Sequence, residues 1–91
     1  MESIHFEVRG RVQGIGFRWF VREKAHELKL AGWVRNKPDG SVEVAAAGDS
    51  EALKIFEASV RSGPTGARVE ATRALPAVDA ESLESPFAIV R

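Results

Sequence analysis

Ile4, Phe6 and Val8 alternate with Ser3, His5, Glu7 and Arg9. This period of two predicts a strand with one face in a core and the other polar. After a short glycine-containing stretch the period changes. Phe17, Val21, Ala25 and Leu28 recur at helical spacing, with Phe20 widening the stripe, which predicts an amphipathic helix that Gly32 would stop. GWVRN (32–36) and SVEVAAAG (41–48) read as two strands joined by Lys37-Pro38-Asp39-Gly40. Proline fixes φ and Asp-Gly suits a tight turn, so the pair predicts a hairpin. Asp49 or Ser50 is placed to cap a second helix, with Glu51 in its first turn and Leu53, Phe56 and Val60 as its apolar stripe. Gly63-Pro64 ends that helix. Val69, Ala71 and Leu75 predict a fourth strand, a Pro- and acid-rich connection runs from Pro76 to Pro86, and Phe87-Ala88-Ile89-Val90 is fit for a last strand.

The order is β-α-β-β-α-β plus a short C-terminal strand. Two right-handed β-α-β crossovers sharing one antiparallel sheet predict an α+β, ferredoxin-like sandwich with two helices on one face. The length of 91 residues fits a single domain over 1–91. Hydrophobic residues at 44% and charged residues at 29% are those of a globular chain. Without cysteine there is no thiolate nucleophile and no sulfur-ligated metal. The charged, alternating start lacks the apolar region of a secretory signal, and no apolar run approaches the roughly 18 residues of a membrane span. A cytoplasmic location is the expectation.

Thirteen basic and thirteen acidic side chains cancel, which disfavours a general nucleic-acid binder. They are unevenly spread, with eight Lys or Arg against five Asp or Glu in residues 1–40 and five against eight in 41–91. The positive excess surrounds GRVQGIGFR (10–18). It fits an anionic ligand, and it fits a solvated surface equally.

That stretch puts Gly14 and Gly16 between strand and helix, where backbone N–H groups can converge on a phosphate without obstruction by Cβ. A purely structural turn is the competing reading. The dinucleotide fingerprint fails because Trp19 stands where its third glycine belongs, and no Gly-Lys-Ser/Thr of a P-loop occurs. Arg18 falls in the first helical turn, where a cation adds to the positive end of the helix dipole. It is either a tolerated surface arginine or one half of an anion clamp, for which its planar fork is suited. Asn36 closes a strand before the Pro38 turn; it serves turn chemistry, or it holds a water without adding charge. His5 and His26 have no partner at metal-ligand spacing and read as surface or interface residues. No Ser-His-Asp arrangement is legible.

GRVQGIGFR followed by GWVRN and PDGSVE, over essentially the whole chain to the terminal FAIVR, closely resembles the acylphosphatases, small enzymes of the ferredoxin-like fold. The resemblance implies hydrolysis of acyl phosphates to a carboxylate and inorganic phosphate, with no metal and no cofactor. It implies a small-molecule substrate, phosphate as product and inhibitor, no nucleic-acid or membrane partner, and a monomer. By matching position Arg18 would bind the phosphate and Asn36 would orient the attacking water. The backbone amides of Gln13, Gly14, Ile15, Gly16, Phe17 and Arg18 would form the cradle. The alternative is a non-catalytic ligand- or RNA-binding domain, since the fold alone does not decide function. GFRWFV superficially resembles an aromatic ribonucleoprotein motif, but that motif must lie on a strand and this stretch opens a helix.

Overall fold

The fold is described by a computed structural model for residues 1–14 and 16–91. It contains β1 (Glu2–Arg11), α1 (Phe17–Glu27), β2 (Ala31–Asn36), β3 (Val42–Gly48), α2 (Ser50–Ser62), β4 (Arg68–Ala74), a 3₁₀ turn at Ala80–Ser82 and β5 (Ala88–Ile89). The sheet order is β4-β1-β3-β2-β5. All pairings are antiparallel except that of β5, which lies parallel to β2. This is the ferredoxin-like sandwich predicted from periodicity, widened by one short strand.

The apolar stripes meet in one core. Val21 and Ala25 of α1 and Leu53, Phe56 and Val60 of α2 bury against Phe6, Val8, Val34, Val44 and Ala46 of the sheet. Phe56 and Phe87 pack edge to face at 5.9 Å, which ties the C-terminal segment to α2. Leu75 lies just beyond β4 but continues its pairing, because its N–H donates to the His5 carbonyl at 2.9 Å.

Gly32 does not stop α1. The helix closes earlier in a Schellman arrangement: Lys29 N–H donates to the His26 carbonyl at 3.1 Å and Leu30 N–H to the Ala25 carbonyl at 2.9 Å. Lys29 takes the left-handed conformation, φ 58°, that this closure needs. Gly32 instead sits inside β2 at φ 132°, where an added Cβ would lie 2.0 Å from the Ala45 carbonyl oxygen. Its role is close approach of strands, set by tertiary packing.

The segment after β4 crosses the sheet face opposite the helices. Ser3 Oγ donates to the Val78 carbonyl at 2.6 Å, Gly32 N–H to the Glu84 carbonyl at 2.9 Å, and the 3₁₀ turn touches β3. Every residue of β3 is therefore buried. On this face the polar positions of β1 form ion pairs. The Glu7 carboxylate meets Arg9 at 2.8 Å, Arg73 at 3.1 Å and Lys37 at 3.2 Å. Glu43 meets His5 at 2.6 Å and Arg35 at 2.7 Å. The Arg9 hydrogen bond, with help from Lys37 and Arg73, overcomes burial and holds the Glu7 carboxyl below its ordinary range. Burial pushes Glu43 up, but the bonds from His5 and Arg35 together outweigh it, so its carboxyl also sits low. Both carboxylates thus stabilise the folded sheet at neutral pH, and that contribution is lost as pH falls through their lowered values.

Candidate active site

Between β1 and α1 the chain must reverse direction in five residues. Gly14 and Gly16, each at φ 77°, provide the left-handed backbone that this needs, and an added Cβ at either would meet nothing within 4 Å. Gly16 is the N-cap of α1, in left-handed conformation and with no side-chain cap. Intrahelical bonding starts with Phe20 N–H donating to the Gly16 carbonyl at 2.9 Å. The N–H groups of Phe17, Arg18 and Trp19 are therefore the ones that α1 cannot satisfy internally. No acidic residue stands in the first turn to offset them.

A pocket of about 160 Å³ opens at this helix end, floored by the buried Val12 and Phe17 and lined also by Gly14, Gly16, Arg18, Trp19, Asn36 and Ile89. Arg18 and Asn36, eighteen residues apart in sequence, thus share one cavity with the glycine loop. Of the eight Lys and Arg in residues 1–40, Arg9, Arg22, Lys24, Arg35 and Lys37 are salt-bridged. Arg18 is half-buried and has no carboxylate partner among the described residues.

Asn36 is the last residue of β2, paired with Val42 across the ladder. Its Oδ1 is buried and has no protein hydrogen-bond partner among the described residues. An unsatisfied buried acceptor costs about 1–3 kcal/mol. Turn chemistry belongs to Asp39 instead, whose Oδ1 accepts from Ser41 Oγ at 2.6 Å and Ser41 N–H at 3.0 Å. Those bonds, the hydroxyl first, hold the Asp39 carboxyl down to about 2.

Gln13 does not line the pocket, yet its side chain is central to the geometry. Nε2 donates to the Lys37 carbonyl at 3.0 Å and to the Ser41 carbonyl at 2.9 Å, gripping both arms of the β2–β3 hairpin. One side chain thus fixes the glycine loop against the strand end that carries Asn36. Only its place in the loop is visible in the sequence; this cross-loop grip is not. Ile15, expected in the cradle, lies outside the described residues.

The family model described as Acylphosphatase matches residues 4–89. The chain belongs to the acylphosphatase family. An acylphosphatase of Geobacillus kaustophilus is 40% identical over 90 residues, 99% of this chain and 95% of that protein. One from Koribacter versatilis is 44% identical over 84 residues, 92% of this chain and 76% of that protein. The crystal structure of acylphosphatase from Bacillus subtilis superposes with a TM-score of 0.92 at 40% identity, covering 100% of both chains.

Two further observations support the acylphosphatase reading over its rivals. The RNA-binding alternative needs aromatics on an exposed strand, whereas Phe17 is buried at the start of α1 and β3 carries no aromatic. A larger cavity of about 280 Å³ lies at the β1–β4 edge. Its Arg61 and Arg73 are already paired with Glu57 and Glu7. His5 and His26 stand outside the pocket: His5 bridges the Pro76 carbonyl and Glu43, and His26 Nε2 donates to the Phe87 carbonyl at 2.9 Å. Among the described residues, no helix is long and apolar enough to cross a membrane.

Proposed function

We propose that the pocket at the start of α1 hydrolyses the carboxyl–phosphate bond of acyl phosphates without a metal. One observation carries this reading: an arginine with no carboxylate partner, a helix end with no side-chain cap and a buried amide oxygen with no partner, each among the described residues, converge on one small cavity. The Arg18 guanidinium and the amides of Gly14, Gly16, Phe17 and Arg18 hold the phosphoryl oxygens, as charge-assisted forks and helix N-termini do. Asn36 Oδ1 accepts a hydrogen bond from water and aims its lone pair at phosphorus.

Attack forms the new P–O bond as the phosphorus–acyl oxygen bond breaks, and the electron pair leaves on the carboxylate. A carboxylate leaves readily, so no strong general acid is required. The water's proton passes to a phosphoryl oxygen, giving inorganic phosphate. The transition state of such a transfer spreads charge over the equatorial oxygens, so positioning and fixed positive charge supply most of the catalysis. Phosphate, as product, competes for the same cradle. A monomer in the cytoplasm belongs to the same reading.

Benzoyl phosphate turnover by purified protein, with and without a chelator, is the test. Hydrolysis unaffected by the chelator is expected. Loss of activity in EDTA that magnesium or zinc restores would contradict the mechanism, and a folded but inactive protein would favour a binding domain.

A further inference from the structure

The pocket's size poses a question that the phosphate chemistry leaves open. At about 160 Å³ it falls below the roughly 300–1,000 Å³ common for ligand sites. It suits the phosphoryl end of a substrate, so the acyl group extends to the rim. Of the large exposed apolar residues among the described ones, Met1, Trp19, Ile55 and Val90, only Trp19 lines this pocket. It is 56% exposed.

The two tryptophans are held differently. Trp33 packs edge-on against His5 and under the Arg35 guanidinium at 5.4 Å. Trp19 has no aromatic or cationic ring partner among the described residues. It follows Arg18 directly in the first turn of α1, and helical side chains lean toward the helix N-terminus, here toward the glycine loop. Ile89, half-buried at the end of β5, supplies a second apolar surface on the same pocket.

We infer that Trp19, with Ile89, is the platform for the acyl group and selects planar apolar acyl phosphates, aromatic ones above all. This rests on the acylphosphatase reading of the pocket. Arg18 is the sole cation lining the cavity among the described residues, and the phosphoryl group engages it. An acyl group bearing a second anion therefore finds no counter-charge at the rim, whereas an aromatic ring finds a free aromatic face.

The ratio of kcat/KM for benzoyl phosphate over acetyl phosphate, measured for the protein as it stands, Trp19→Ala and Trp19→Phe, tests the assignment. Trp19→Ala is expected to lower that ratio by about 3- to 10-fold, the worth of one aromatic pair, and Trp19→Phe to retain most of it. Because the ring is exposed, folding is not at stake, and equal unfolding midpoints verify this. A ratio unchanged in Trp19→Ala, or equal losses on both substrates, overturns the platform while leaving the catalytic reading in place. Failure of the unsubstituted protein to turn over either substrate overturns the catalytic reading, and the platform with it.

Discussion

The two helices begin in opposite ways. α2 starts at Asp49, in extended conformation, with Glu51 in the first turn. The Asp49 carboxylate makes no cap bond, so both acids act by charge alone on the positive end of the dipole. α1 starts at a left-handed glycine, with no acid in its first turn and with Arg18 there instead. The positive end of α2 is thus offset by charge from within the protein. The start of α1 is made more positive than a bare helix end, and on the proposed mechanism the substrate's phosphoryl group completes it. The same secondary structure has its positive end offset by acids in one place and reinforced by a cation in the other.

The sharpest way to break this contrast is to remove the added charge. Arg18→Ala is expected to lower kcat/KM for an acyl phosphate by about 10³-fold, in line with other fixed donors to a transferring phosphoryl group. Lysine at this position should recover little, because a point charge lacks the fork. Near-normal kinetics would return Arg18 to the surface. Next comes Asn36→Ala, for which a fall in kcat of about 10²-fold is expected while inorganic phosphate still inhibits competitively. An intact kcat with a lowered unfolding midpoint would give Asn36 a structural role only.

Gln13→Ala sharpens the comparison further, because α2 has no counterpart to the grip that Gln13 exerts on the hairpin. A loss of about 10-fold, in kcat more than in KM, is expected from misplacing Asn36 by a fraction of an ångström. Equal changes in Gln13→Ala and in a neutral surface variant would dismiss the grip.

The smallest effects concern stability. Arg18→Glu should stabilise the fold by about 0.3–1 kcal/mol, while Glu51→Lys should destabilise it by a similar amount. Denaturant titration reads both. If Arg18→Glu proved destabilising, the arginine would be serving the fold and the contrast between the helix ends would fail.

Periodicity, with the glycine and proline turn signals, exposed the order of elements, and the stripes of β1, α1 and α2, from Phe6 and Val8 to Phe56 and Val60, ended in the core, whereas Ala71 of the β4 stripe is exposed. Residue type and setting made Arg18 and Asn36 candidates with a structural reading open for each, and the roles proposed for them came from the resemblance. Other features depended on contacts that no local pattern encodes. Gly32 looked like a helix stop because the close approach of Ala45 comes from strand pairing. The polar face of β1 read only as polar, because residues 75–86 carry no periodic signal and the Arg9, Lys37 and Arg73 partners of Glu7 come together only in the folded sheet, and so the burial of Glu7 and Glu43 went unseen. Gln13 showed only as a loop residue, its reach to Lys37 and Ser41 being a property of the folded hairpin.

On the proposed mechanism the phosphoryl group binds at the open start of α1. Titration of ¹⁵N-labelled protein with inorganic phosphate, followed through backbone amide shifts, tests it directly. The largest saturable shifts are expected at the amides from Gly14 to Trp19, and they should vanish in Arg18→Ala while the rest of the spectrum is retained. Shifts centred instead on Arg61 and Arg73, at the larger cavity of the β1–β4 edge, would contradict it.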